Sequence, residues 1–344
     1  MPTVSIASLR RLTAAIFSAA GAPADLAEEV AEVLADNQLA GHDSHGILRI
    51  PQYIEAVRAG KVIPTARPSL LRETASTALV SGNWAFGQVA ANFAADVAAD
   101  KAGREGVAAV SLVQVGHTGR LAAFTERAAR RDVAMFMSIG TVNKPVTAPY
   151  GGTAPVFGTN PIAFSMPNRS GPPVTLDYAT SAIAAGKIKV AKAKKEQLPA
   201  NAVLTRDGEP TTDPQEFLQG GFLLPFGGHK GYALAVIAEL LSSALTGADE
   251  HADDAKATGA FMFAVSSSAF RSRDSYQHAL STIVERIAQV PPAQGFDKVL
   301  LPGEPEARSR EQRERDGIPV PDSTWEEVCA VAAELGVVPA DVVG

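Results

Sequence analysis

The sequence predicts an α/β protein in which helices from both chain ends form a layer around a central body of strands and helices. Three observations carry this. Residues 4–20 repeat apolar side chains at helical spacing, with Ile6, Leu9, Leu12 and Ile16 on one face. The closing stretch "DSTWEEVCAVAAELG" does the same behind an Asp/Ser/Thr start with acids in its first turn. In the middle, "VAAVSLVQVG" and "VAMFMSIG" are continuous apolar runs ending in glycine, the pattern of buried strands, and "LAAFTERAARRD" between them reads as a helix.

The elements follow in order. Residues 4–20 and 23–40 read as two helices, the first stopped by Gly21 and the second opened by Pro23 and closed by Gly41. "SHGILRIPQYIEAVRAGK" reads as a further helix, bent or started near Pro51, up to Gly60. From about residue 68 the texture changes, and "PSLLRETASTALVSGN" looks like short strands with a turn. "GQVAANFAADVAADKAGREG" is an Ala-rich helix. "PIAFSMP", "PVTLDYATS" and "AFMFAVSSSAF" read as strands, and "GGHKGYALAVIAELLSSALTG" and "SYQHALSTIVERIAQV" as helices. The charged run from Glu304 to Gly317 reads as a solvated, partly helical connector.

Composition narrows the function classes. The 344 residues suffice for one large or two smaller cores, and 46% hydrophobic with 20% charged residues is ordinary for a soluble globular chain. A net charge of −6 argues against a nucleic-acid binder, which would want a basic face. The single cysteine, Cys329, rules out an internal disulfide and sits in an apolar helical pattern, where it reads as a core residue. No apolar run reaches the roughly 18 residues that cross a membrane, and the N-terminus lacks the order of a signal peptide, so a cytoplasmic, membrane-free protein is expected.

Several standard sites are absent. No two glycines are separated by a single residue, so the dinucleotide fingerprint G-x-G-x-x-G cannot be placed. No P-loop, H-E-x-x-H or G-x-S-x-G is present. What remains is a set of polar, glycine-bearing islands: "GHDSHGILR" (41–49), "VGHTGR" (115–120), "LDYATS" (176–181) and "PFGGHKG" (225–231). A fifth, between residues 138 and 161, supplies Asn143, Lys144 and Asn160.

Each island admits a chemistry and a plainer reading. His45 has a free pKa near physiological pH, which suits a general acid or base, and Ser44 beside it can orient a substrate oxygen. Arg49, four residues on, suits a bidentate grip on a carboxylate. Alternatively, His42 and His45 cap the preceding helix and Arg49 pairs at the surface. His117 follows a buried strand, as a catalytic group or a loop-stabilising one. Asp177 ends a strand, as a turn cap or a partner of His45. "GGHKG" offers helix-start N–H groups and Lys230 to a phosphate, or is a tight turn with a surface lysine. A metal held by His42, Asp43, His45 and His117 is disfavoured, since zinc hydrolase spacing is missing and Arg49 would set a positive charge beside the ion. His251 and His278 carry no assigned role.

Taken in order, "DSHG…R", "GHTG", "GTNPIAF", "LDYATS…GKI", "LPFGGHKGYALA" and "LPGEPE" resemble the malate/L-lactate dehydrogenase family of non-Rossmann type, over about residues 5–340. That family also holds sulfolactate, ureidoglycolate and 2,3-diketogulonate oxidoreductases, and reductases of piperideine- and pyrroline-2-carboxylate. The resemblance implies a three-layer α/β/α cofactor domain with a mixed sheet, unlike Rossmann, spanning residues 71–309. A helical domain would come from 1–70 with 310–344. It further implies an intertwined homodimer, NAD or NADP as cofactor, no metal, and hydride transfer to C2 of a 2-oxo acid carboxylate or, alternatively, a cyclic imine. On this chain His45 or His117 would carry the proton, with Ser44 beside His45 and Asp177 as relay partner, while Arg49 and Lys144 would hold the substrate. The cofactor would lie against Ser138, Thr159, Asn160, Asp177, Tyr178, Ala179, Thr180, Ser181, His229, Lys230, Gly303 and Glu304. The acidic "DEHADDAKATGAFMF" is shorter than the matching loop of many relatives and is expected near the substrate mouth or the dimer contact.

Overall fold

The computed structural model of the chain describes residues 2–141, 145–250 and 258–339. A short strand β1 (Thr3–Val4) leads into helices α1 (Ile6–Ala19) and α2 (Ala24–Leu39). Ser5 caps α1 by accepting from the backbone N–H of Ser8. Two tight 3-10 turns, Asp43–His45 and Ile47–Arg49, then feed α3 (Ile50–Arg58). The helix therefore starts near Pro51, one of the two expected forms: it begins at Ile50, with Pro51 in the first turn where a missing N–H costs nothing, and the residues before it are wound more tightly.

The body follows as β2 (Ser69–Glu73), β3 (Thr77–Ser81), α4 (Gly87–Glu105), β4 (Val107–Val115), α5 (Ala122–Ala129), β5 (Val133–Thr141), β6 (Ile162–Met166) and β7 (Val174–Tyr178). A small satellite comes next: α6 (Ala185–Lys194), β8 (Val203–Leu204), β9 (Pro210–Thr211), α7 (Pro214–Leu218) and β10 (Phe222–Leu223). The sequence reading had not resolved it into elements. The rest is α8 (His229–Glu239) with a π-helical turn (Leu240–Ala244), β11 (Thr258–Ser266), α9 (Arg273–Ala288), α10 (Glu304–Asp316), β12 (Ile318–Pro319) and α11 (Asp322–Glu334).

Seven strands form one sheet in the order β2-β3-β4-β11-β5-β6-β7. The β3–β4 pair is parallel and every other neighbouring pair antiparallel, so the sheet is mixed as expected. One face carries Met135, Met137, Ala260 and Met262, packed with the buried alanines of α4 and Phe124 of α5. The alternate residues face α8 and its π-helical turn, where Ser138 Oγ meets Ser242 Oγ at 2.8 Å. Gly140 and Gly259 stand opposite each other in register on that face. A Cβ at Gly259 would overlap the Ser242 carbonyl oxygen, and one at Gly140 would come within 2.7 Å of Ser243 Oγ. This glycine pair is what lets the helix lie directly on the sheet.

A second apolar cluster joins α1, α2, α3 and α11, with Ile47 and Ile50 beneath the tight turns and Phe86 and Val89 reaching in from the start of α4. β1 pairs with β12, Val4 opposite Ile318, which ties the two chain ends together. The helical layer thus draws on both ends of the chain, as the sequence indicated. Cys329 is half-buried on α11 rather than in the core.

The charged run is also corrected: it is the regular helix α10, docked rather than solvated. Ser309 Oγ donates to the Leu39 carbonyl oxygen at 2.8 Å, and Arg313 bonds the Gln38 carbonyl and Asp43. Arg310 reaches Asp36 at 2.8 Å and Glu126 at 3.0 Å. Arg120, 2% exposed, meets the same two carboxylates at 3.0 and 3.4 Å. Burial works against the charge on Asp36, but the two guanidiniums overrule it and hold the carboxyl below its usual range.

Removing one member of such a buried set leaves the others uncompensated. Arg120→Met is expected to cost about 3–5 kcal/mol in denaturant unfolding. Arg130→Met, whose solvent-facing guanidinium touches Glu126 at 3.5 Å, is expected to cost less than about 1 kcal/mol.

Candidate active site

The tight turns after α2 are moulded by one side chain. Gln38 is buried, donates to Asp43 Oδ1 at 2.9 Å and accepts from the Ile47 backbone N–H at 3.3 Å. Gly46 makes room for it, because a Cβ there would overlap the Gln38 amide. Asn37, next on α2, donates to the His45 carbonyl oxygen at 3.0 Å and accepts from Arg120 Nε at 3.1 Å. The backbone of His45 is therefore held from the α/β body through a buried amide.

The structure brings Ser44, His45, Arg49 and His117 together. The rings of His45 and His117 stack, 5.7 Å apart and inclined by 10°. His45 Nδ1 lies 3.1 Å from Ser44 Oγ. Arg49 Nε donates to the Ser44 carbonyl oxygen at 2.7 Å, and its Nη1 to Gln52 at 2.7 Å. His117 Nδ1 lies 2.7 Å from the Tyr53 hydroxyl. These groups come together where α3 of the helical layer meets the loop after β4.

Electrostatics sets the charge states. Burial, reinforced by Arg49, His42 and Arg120, lowers the His45 pKa to about 4. Burial, Arg49 and His45 together push His117 well below the usual histidine range. Both rings are neutral at pH 7, beside a guanidinium that burial disfavours but does not discharge. Among the described residues no carboxylate pairs with Arg49.

Asp177 takes another place. Its Oδ2 accepts from the Ala122 backbone N–H at 2.7 Å, at the start of α5, and it makes no hydrogen bond to His45 among the described residues. Burial raises its pKa, against that bond and the charge of Arg120. It joins the start of α5 to the end of β7. His42 turns to Glu306 of α10 at 3.2 Å. No group of three metal-ligating side chains occurs among the described residues.

The expected cofactor residues divide. Thr180 Oγ1 donates to the carbonyl oxygens of Thr159 and Asn160, at 3.1 and 3.0 Å. The Phe226 N–H bonds Thr180, and the Tyr178 ring packs edge-on against Phe226 at 5.4 Å. Residues 159–160, 178–181 and 225–230 thus converge, with Ala179 and Ser181 inside the group and His229 and Lys230 exposed at the start of α8. Gly186 on α6 reaches back to Ser44, its position for a Cβ 3.5 Å from that of Ser44. Ser138 is fully buried under the π-helical turn, away from any open surface. Gly303 and Glu304 open α10 against Thr175, at the other end of β7 from Tyr178, and Glu304 is engaged by Lys298, Arg308 and the Leu301 N–H. Lys144 and Asn143 lie outside the described residues.

Sequence reasoning passed over Asn37, Tyr53, Gln88 and Arg120. A signal existed for Asn37, a polar residue on an otherwise apolar helix face. Arg120 stood inside a quoted island, and nothing in its neighbours marked it as buried.

The chain matches the family described as malate/L-lactate dehydrogenase over residues 4–329. It is 34% identical over 330 residues to the L-sulfolactate dehydrogenase of Methanothermobacter thermautotrophicus, covering 94% of each protein. It is 39% identical over 245 residues to the Delta(1)-pyrroline-2-carboxylate/Delta(1)-piperideine-2-carboxylate reductase of Pseudomonas syringae pv. tomato, 71% of each. The solved structure of sulfolactate dehydrogenase from Methanocaldococcus jannaschii superimposes with a TM-score of 0.90 at 31% identity, over 99% of both chains. With this fold shared end to end and about a third of its residues in common, the chain belongs to the malate/L-lactate dehydrogenase family of oxidoreductases.

Proposed function

We propose that the protein is an NAD- or NADP-dependent dehydrogenase that interconverts a small 2-hydroxy acid and its 2-oxo acid, of the malate, lactate or sulfolactate type. The observation that carries this is Arg49, a largely buried cation with no carboxylate partner among the described residues, set beside two neutral histidines. An uncompensated, largely buried charge is costly, and a substrate carboxylate is the group that relieves it. The sulfolactate and malate dehydrogenases among its relatives point the same way.

The residues that converge opposite the histidines suit a nicotinamide dinucleotide. Gly227 and Gly228, both at positive φ, open α8 so that its first N–H groups and Lys230 face outward, a setting for a pyrophosphate. Tyr178, exposed beside Phe226, offers a ring face to a base. Bound there, the nicotinamide would supply or accept the hydride at C2. The chain's own part is to hold the carboxylate with Arg49, to orient the C2 oxygen with Ser44, and to move one proton at that oxygen through an imidazole.

The helical layer (1–70 with 310–344) and the cofactor body (71–309) are read as two domains on the strength of their separate apolar clusters. The second boundary falls inside α10, so its natural place is the start of that helix. Leu234, Ile237, Leu240 and Leu245 leave an apolar stripe exposed, and α9 buries none of its residues, which supports a homodimer. No helix among the described residues is long and apolar enough to cross a membrane, in keeping with a cytoplasmic enzyme. The likeness to the pyrroline/piperideine-2-carboxylate reductase favours, as a second reading, reduction of a cyclic imino acid at the same site.

Oxidation of NADH and NADPH against pyruvate, oxaloacetate, sulfopyruvate and piperideine-2-carboxylate separates the readings and selects the cofactor. A 2-oxo acid is expected to give the highest kcat/KM. The highest value with the imine would transfer the function to the second reading, and no turnover with any of them would overturn both. Arg49→Met is expected to raise the substrate KM more than 10-fold, and His45→Ala to lower kcat by about 10²–10⁴-fold. In the oxidation direction the base must be neutral, and His45 becomes protonated only near pH 4. There kcat/KM should stay level from pH 8 to about 5 and fall as pH approaches 4. A fall centred near pH 6.5 would contradict this environment for the histidine.

A further inference from the structure

Tyr53 and Gln88 lie behind His117 and have no part in the reaction as set out above. We infer that Tyr53, held by Gln88, is a positioning residue that fixes the single proton of His117 on Nε2. His117 is then a hydrogen-bond donor to the substrate oxygen and His45 carries the proton, a consequence that rests on the hydride-transfer reading.

The argument is one of donors and acceptors. Gln88 is fully buried, its Nε2 3.1 Å from the Thr118 carbonyl oxygen and 2.8 Å from the Tyr53 hydroxyl. A carbonyl only accepts, so the amide must turn its nitrogen toward Thr118. The flipped amide would set two oxygens face to face. Both N–H groups of Gln88 are then committed, one to Thr118 and one to Tyr53. The Tyr53 hydroxyl therefore accepts from Gln88, and its own proton goes to its other neighbour, His117 Nδ1 at 2.7 Å. The phenol keeps that proton, because burial pushes Tyr53 up to about 12. An Nδ1 that accepts leaves the neutral ring's proton on Nε2.

Charging the ring would put an N–H at Nδ1 against a hydroxyl that already points its proton there. The other groups facing the imidazole, Arg49 and the stacked His45, both oppose a cation. The backbone fixes the arrangement as well. Gly87 opens α4 directly against the His117 loop, and a Cβ there would overlap the His117 carbonyl. Gln88 follows at once, so the same close approach sets its amide behind the ring. Tyr53 arrives on α3 from the helical layer, so the tautomer is set across the junction of the two layers.

A ring protonated at Nε2 can stabilise an oxygen at C2 but has no lone pair there to take a hydroxyl proton. His45 is not restricted in this way, because its Nδ1 faces the Ser44 hydroxyl, which donates or accepts equally well.

The test is nitrogen-15 NMR on the full chain labelled at histidine, with the His117 ring identified by its loss in His117→Gln. The wild-type ring is expected to show Nδ1 unprotonated and Nε2 protonated at about pH 7 to 8, where it is neutral. In Tyr53→Phe the two nitrogens should shift toward each other as the second tautomer fills. Turnover should fall about 10-fold while the carboxylate KM changes less than about 3-fold, since Arg49 is untouched. Gln88→Glu reverses the chain: the buried carboxyl, protonated toward the Thr118 carbonyl oxygen, accepts from Tyr53, Tyr53 accepts from Nδ1, and the ring proton is expected on Nδ1. A wild-type ring protonated at Nδ1, or a Tyr53→Phe ring with both nitrogens unmoved, overturns the inference. The spectra are read without substrate, so a protein that turns over no 2-oxo acid would overturn the functional reading and leave the tautomer decided separately.

Discussion

The guanidinium of Arg120 is the point on which the two layers depend. It is buried, and its partners come from separate parts of the chain: Asp36 and Asn37 on α2, and Glu126 on α5. Arg310 on α10 closes the set from the other end of the chain. A buried ionic group of this kind contributes little net stability over an apolar replacement, because desolvation offsets most of the Coulomb gain. What it supplies is a unique arrangement. These five side chains satisfy one another only when α2, α5 and α10 sit in one relation, and Asn37 passes that relation on to the backbone of His45.

A few residues away the opposite condition holds. Arg49 keeps its charge, largely buried, with no carboxylate among the described residues to meet it, and two imidazoles beside it are kept neutral. The contrast separates frame from site. The cations of the frame are paired and hydrogen-bonded, whereas under the proposed reaction the cation of the site would meet the substrate. The substrate's carboxylate would change the field at His45 as it binds, since Arg49 is one of the charges that lowers that histidine's pKa. Under the proposed reaction, anchoring and proton transfer would be linked through one side chain.

Much of this was legible in the sequence. Amphipathic spacing gave the terminal helices, glycine-bounded apolar runs gave β4 and β5, and the islands named Ser44, His45, Arg49 and His117, which the structure sets side by side. The failures have physical causes. The run Glu304–Gly317 read as solvated because a helix docked by charge pairs carries no apolar stripe. The bonds that Ser138 and Glu304 make within the fold, to Ser242 and to Lys298 and Arg308, were likewise not legible, because sequence does not distinguish a polar residue engaged in packing from one that meets a ligand. The bond of Asp177 to the Ala122 N–H was not legible either, because a strand-end carboxylate looks the same whether it caps a helix or orients a base. Tyr53 and Gln88 act through a contact across 35 positions of chain, which no local pattern carries.

Arg120 and Asn37 act as a unit to hold the backbone of His45 in place. A double-mutant cycle on turnover addresses it most directly, using Asn37→Ala, Arg120→Met and the two together, each assayed as folded protein with the preferred 2-oxo acid. The account predicts that the double variant loses no more than the worse single variant, because either change breaks the same bridge. Losses that multiply would contradict it, since they would mean that the two residues support catalysis independently.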